Sequence, residues 1–390
     1  VITFETGKTP LAEIHVSATG NDQTGDGSVG SPYGSIERAT QDAVPGSAVL
    51  VHAGNYVGGT FVGGLAGTET DPIWIGGVPG EAKPVIDGGS VGLHLSQVRY
   101  LVLHDLVIRN AASNGINTDD GGDYANPDAT RHVVFRDLEI HDIGGTGNQD
   151  CLKLSGVDDY FVLDSSFARC GGGTSGSGID HVGCHDGHIQ GNYFESMSGN
   201  AIQTKGGSEN IRIVANTIID GGERALNIGG STGFEFFRPP LSTTAPNFEA
   251  SNIEATANRI VGSRAPFAFV GAVDSLAANN TIIDPTRWLI RILQETTSGG
   301  GYTFLASADN TVINNLFYFD RSALSTYVNI GSGTDSSSFT FSNNLWFAHD
   351  DPQQSQPGLP VTETDGVIGQ DPLFVAPNSS DYHLLSASPA

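Results

Sequence analysis

From about Val85 onward the chain alternates apolar and polar residues in short runs broken by Gly, Asn and Asp, the pattern of strands and turns. The clearest series runs Leu93-His94-Leu95, Ile116-Asn117-Thr118, Leu152-Lys153-Leu154, Ile179-Asp180-His181 and Ile202-Gln203-Thr204. It continues through Leu226-Asn227-Ile228, Phe267-Ala268-Phe269 and Ile290-Arg291-Ile292 to Val328-Asn329-Ile330. A second series is an Asx followed by a short, mostly apolar run, at Asp105, Asp137, Asp164, Asn192, Asn216, Asn258, Asn280, Asn315 and Asn344. Two strand elements recurring in fixed order, with a basal period of about 22–24 residues, specify a parallel β-helix whose coils stack about 4.8 Å apart. The aligned Asx residues predict an amide ladder at one turn, and the antiparallel blades of a propeller are excluded. Helical periodicity is confined to Ser35–Ala43, where Ile36, Ala39 and Ala43 share a face. Trp288 and Trp346 fall on strand positions and are expected in the core, and His181 falls at an inward offset, where a packed histidine is expected.

Composition narrows the class. Among 390 residues, 43 acids against 18 Lys and Arg leave a formal charge of −25, so a general nucleic-acid binder is excluded for want of a basic surplus. No run of about 18 apolar residues occurs, which excludes a helical membrane span. The sequence opens at Val1 without an apolar export segment, as expected of a mature secreted or periplasmic chain. Three cysteines, Cys151, Cys170 and Cys184, allow one bridge, whose pairing is open. A single domain is expected over 1–390, with an N-terminal cap and first coils in 14–84, regular coils in 85–350 and a tail in 351–390. The stretch His15–Tyr56, HVSATGNDQTGDGSVGSPYGSIERATQDAVPGSAVLVHAGNY, resembles the N-terminal start of secreted β-helix proteins, and Gly366–Ala390 resembles their tail. That resemblance implies an all-β, right-handed parallel β-helix with a short N-terminal capping helix, and right-handed crossovers are also the physical default.

A solenoid encloses no pocket, so chemistry is expected in a groove walled by insertions. The step from Ile116 to Leu152 is 36 residues and that from Leu226 to Phe267 is 41, which places insertions at Asp119–Asp128 and Gly229–Ala250; a third follows Ile290, with Gln294, Glu295 and Gly299–Gly301. Between the first two, one outward column reads Asn117, Lys153, Asp180, Gln203, Asn227, and a neighbouring one Asn114, Asp150, Ser177, Asn200, Arg224, with Lys205 ending its strand beside both. Two of the four lysines in the chain, Lys153 and Lys205, therefore fall with Arg224 on one patch, which Arg238 in the second wall would extend. Phe234, Phe236 and Phe237 could line a sugar site. Asp119, Asp120, Asp123 and Asp128 could offer oxygen ligands to calcium, a candidate cofactor; no metal-ligating residue is assigned.

A basic groove suits an acidic polysaccharide. In β-elimination a cation neutralises the C6 carboxylate of a uronate, a base removes the C5 proton and the C4 oxygen leaves. The stretch NAIQTKGGSENIRIVANTIIDGGERALNIGGSTG (Asn200–Gly233) resembles the catalytic stretch of the β-helical alginate lyases and chondroitinase B, and is similarly close to the lysine-base pectate lyases. The resemblance implies Lys205 as base and an arginine one coil later as its partner. Arg224 opens that next strand, whereas the family's arginine lies near its end, where this chain has Gly229. The expected site is thus Lys205 and Arg224 as catalytic pair, Lys153, Asn200, Gln203, Asn227 and Arg238 contacting substrate, and Asp150 and Asp180 orienting the cations. INTDD (Ile116–Asp120) and NQDCLKLSG (Asn148–Gly156) resemble polygalacturonase motifs, which gives the alternative of hydrolysis through carboxylates such as Asp150 and Asp180. A uronan epimerase or a non-catalytic polysaccharide-binding protein are further alternatives. A monomer is expected.

Overall fold

The computed structural model describes residues 9–390. Three parallel sheets run along the chain, each visited once per coil; in strand order they carry 13, 10 and 12 strands. The described chain is 44% strand and 5% helical, with the sheet order of a parallel β-helix, consistent with the right-handed form. The alternation fixes the register of the 10-stranded sheet as expected: Leu93 pairs with Ile116, then Leu152, Ile179, Ile202, Leu226, Phe267, Ile290 and Val328. The apolar residues of this row stack inward and are buried; the residues between them form the outward column that carries Lys153 and Asp180.

One turn is held by an amide ladder. The Nδ2 groups of Asn192, Asn216, Asn258, Asn280 and Asn315 each donate to the Oδ1 of the next asparagine at 2.8–3.0 Å, ending on Asn344. The Asn344 Nδ2 donates in turn to Glu363 at 2.7 Å. Each Oδ1 also accepts the backbone N–H of the preceding asparagine, so turn groups buried away from water are satisfied. Asp105, Asp137 and Asp164 do not belong to the ladder. They sit one residue earlier, at left-handed φ of 51°, 53° and 47°, the position that Gly191 holds before Asn192. In those coils the ladder position is Leu106, Leu138 or Ser165, and the Ser165 Oγ accepts the Leu138 N–H.

At the N-terminal end a single helical turn, Ile36–Thr40, is N-capped by Ser35, whose side chain accepts the Arg38 N–H; Ile36 and Ala39 are buried in the core and Ala43 packs against it. Cys151 and Cys170 form the disulfide, and Cys184 is a buried free thiol. Trp346 lies in the core as expected, stacked on Phe317 at 4.1 Å. Trp288 departs from expectation: it is half-buried and flanked by arginines, because its turn precedes the strand it was assigned to.

Candidate functional site

Register gathers the two lysines. Lys153 pairs with Asp180, which pairs with Gln203, and Lys205 ends the neighbouring strand opposite Val182. The Lys153 ammonium bonds the Asp180 carboxylate, and Lys205 Nζ lies 3.3 Å from the same Oδ2. Asp150, two residues before the strand Leu152–Ser155 that carries Lys153, stands 3.8 Å from the Lys153 Nζ and accepts the Ser177 N–H at 2.8 Å. The two aspartates thus lie against the lysine ammonium groups, and both are buried. Burial works against the Asp180 carboxylate, but Lys153 and Lys205 outweigh it and hold its pKa below the usual range. Burial likewise works against the Lys153 ammonium, and Asp180 and Asp150 outweigh it and raise its pKa. For Asp150, burial and the neighbouring Asp180 push the pKa up to about 7, against the pull of Lys153 and Lys205. One carboxylate therefore stays charged between two lysines while the second holds a proton to near neutrality.

Lys153 and Lys205 line a groove of about 690 Å³ that reaches from His94 to Ser231 and Gly233, between the two insertions. The insertions meet. Arg238 of the second donates Nε and Nη2 to the two oxygens of Asp120 in the first, at 2.7 and 3.0 Å, and its guanidinium lies 4.0 Å from the centroid of Tyr124. This clamp rests on Gly156 and Gly183, both at left-handed φ (65° and 57°). A Cβ on Gly156 would come within 2.4 Å of Asp120 Oδ2, and one on Gly183 within 2.4 Å of the Arg238 Cβ. The clamp forms the wall of the groove beside the lysines, and Phe236, 47% exposed, stands on its lining.

Other expected contacts are placed differently. Arg224 pairs in register with Asn200, five positions along the strand from Lys205, whose own neighbours one coil on are Gly229 and Gly230. Arg224 does not line the groove; it donates to Glu295 at 2.5 Å and to Asn227 at 3.3 Å. Asn200, Gln203 and Asn227 are buried, and Asn200 donates to Gln203 at 3.1 Å, so these amides support the sheet rather than face the groove. Arg238 lines the groove, but its guanidinium is committed to Asp120 and to the Phe236 carbonyl. His181 packs inward as expected: it bonds the Gln203 carbonyl through Nδ1 at 2.7 Å, and burial pushes its pKa down to about 4. Phe237 is core, and Phe234 stacks on Phe304.

The carboxylates of the first insertion do not converge on a cation. Asp120 takes Arg238, Asp128 takes Arg131, Asp123 takes Asn126, and Asp119 takes Ser96, His94 and Asn117. The donor set that calcium would need is spent on protein partners pointing in different directions, so these residues do not fit the ion. The groove is also lined by His94, two coils before Lys153, and Asp119, one coil before it, joined at 2.7 Å; the sequence reading took Asp119 only as a calcium ligand and gave His94 no role. Burial works against the Asp119 carboxylate, but the Ser96 and His94 bonds outweigh it and lower its pKa. The signal was present: His94 and Asn117 precede Lys153 in the same outward column, and the Asp119 side of the groove follows from extending it.

No protein-family model matches the sequence, and no curated protein matches it. Solved structures do. The chain is similar to pectate lyase Pel9A (TM-score 0.59, 15% identity, 98% of this chain and 91% of that one covered). It is similar to the alginate lyase from Paenibacillus sp. str. FPU-7 (TM-score 0.50, 16% identity, 83% and 98% covered) and to a structure described as a glycoside hydrolase (TM-score 0.57, 10% identity, 84% and 98% covered). At these identities the likeness establishes the architecture: a parallel β-helix of the kind found in polysaccharide lyases. Among the described residues, no helix is long and apolar enough to cross a membrane.

Proposed function

We propose that the protein is an extracytoplasmic polysaccharide lyase that cleaves an acidic, uronate-containing chain by β-elimination in the Lys153–Lys205 groove. The observation that carries this reading is the placement of two ammonium groups on one buried carboxylate, Asp180, in the floor of a walled groove on a protein of charge −25. Two ammonium groups sharing one charged carboxylate leave a local excess of positive charge at that point of the floor, which suits a polyanionic ligand. Lys205 is the proposed base for the C5 proton. Lys153, held by Asp180 and with its pKa raised, remains the cation that meets the C6 carboxylate and stabilises the charge that develops when the proton leaves. Arg224, held by Glu295 away from the groove, takes no part in this step. Arg238 holds the wall in place rather than touching sugar.

The similarity to alginate and pectate lyases supports the substrate class, and the burial of Asp150 and Asp180 beneath the lysines weighs against hydrolysis through that pair. The test is to incubate the protein with alginate, pectate, hyaluronan and dermatan and follow both ultraviolet absorbance of the unsaturated uronate product and reducing ends. Both should rise together on at least one polymer. Reducing ends without absorbance would overturn the lyase reading in favour of hydrolysis.

A further inference from the structure

Beyond the groove, the same sheet carries a second cationic cluster. The guanidinium carbons of Arg287 and Arg291 each lie 4.3 Å from the centroid of the Trp288 indole, and that of Arg264 lies at 5.8 Å. Arg224 is close enough that it and burial together lower the Arg291 pKa. Two glutamates answer four arginines: Glu223 binds Arg264 at 2.7 Å and Glu295 binds Arg224. Among the described residues, neither Arg287 nor Arg291 has a carboxylate at ion-pair distance; Arg291 donates only to the Asn329 amide, at 3.0 Å. The cluster thus keeps a surplus of positive charge on a protein of charge −25, and four of the chain's 14 arginines stand in it. Arg287 is exposed and Arg291 and Trp288 are half-buried, with both guanidinium groups lying over the indole ring.

Guanidinium groups stacked on an indole and lacking a carboxylate partner match the chemistry of a uronate residue, whose carboxylate they can bind. Arg291 lies in the outward column of Lys153, three coil steps past Gln203, which is about 14 Å along the solenoid axis. We infer that Trp288, Arg287 and Arg291 form an auxiliary binding site for a second stretch of the acidic polysaccharide, a few sugar units from the groove. The inference rests on the groove being a site for such a polymer. It gives long chains an additional anchor that short oligosaccharides in the groove do not reach.

The test uses the Arg287→Ala/Arg291→Ala double variant and, because loss of the ring could disturb the turn, Trp288→Phe in place of a truncation. Two measurements are made with alginate and with polygalacturonate: retardation in native gels containing the polymer, and the split between KM and kcat. The double variant should lose retardation and raise the KM for polymer by about five- to tenfold, with kcat within about twofold of wild type. Wild-type KM and retardation in that variant would overturn the inference. If wild type is retarded through Arg287 and Arg291 but cleaves none of alginate, pectate, hyaluronan and dermatan, the auxiliary site stands and the lyase reading falls. A wild-type protein that neither polymer retards would overturn the auxiliary site.

Discussion

Replacing Asp150 by asparagine should change how stability depends on pH. Asp150 is 1% exposed, and its pKa in the folded protein is about 7 against an ordinary 3.8. A raised pKa means the folded state binds the proton more tightly than the unfolded chain, so the stability linked to that proton is complete below about pH 4 and is lost as pH rises toward 7. At about 1.4 kcal/mol per pH unit, the wild type forfeits about 4 kcal/mol across that window from this group. Asparagine has no proton to lose and keeps an Oδ1 that can accept the Ser177 N–H, now made at 2.8 Å. The difference in unfolding free energy between variant and wild type should therefore shift by about 3 kcal/mol in favour of the variant between about pH 5 and pH 8, since most of the titration falls in that interval. Urea denaturation followed by circular dichroism at several pH values measures this. Parallel stability curves for the two proteins would refute the claim that Asp150 is held protonated beside Asp180.

Four further outcomes follow from the same geometry. Lys205→Ala should lower kcat on the cleaved polymer by at least about 10²-fold with an unchanged circular dichroism spectrum, whereas Lys153→Ala should also raise KM, because it removes the partner of the substrate carboxylate. Arg238→Ala should destabilise the protein by about 3–5 kcal/mol in denaturant titrations, since it leaves the buried Asp120 without its counter-charge. Asn258→Ala should cost about 2–4 kcal/mol, because it strips the Asn216 N–H and Nδ2 of their acceptor and the Asn280 Oδ1 of a donor in the ladder. Removing divalent cations with a chelator should leave the rate of product formation unchanged, since the acidic insertion residues are committed to protein partners.

Much of this was legible in the chain. The outward column from His94 to Asn329 and its register were fixed by apolar alternation alone, because a one-residue slip would turn every inward Leu and Ile outward. The pairing of Lys153 with Asp180 followed directly. The Asx series was legible only in part: Asp at a left-handed turn position and Asn at the ladder position look alike in sequence, yet one needs a tolerated positive φ and the other a side-chain amide that donates and accepts. Arg224 was read as opening its strand and yet grouped on one patch with Lys205 at the end of its own, although the five positions between them span about 17 Å. The Asp120–Arg238 clamp joins residues 118 apart through two irregular loops, so no periodicity announces it. The surroundings of Trp288 depend in the same way on a turn, where alternation stops being informative.

The most direct test of the account is a crystal structure of Lys205→Ala bound to a uronate oligosaccharide from whichever polymer the wild type degrades. The account predicts a sugar carboxylate on the Lys153 ammonium and the C5–H of that residue facing the space left by the Lys205 side chain. A chain bound with its carboxylates away from Lys153, or lying outside the groove between the two insertions, would contradict it.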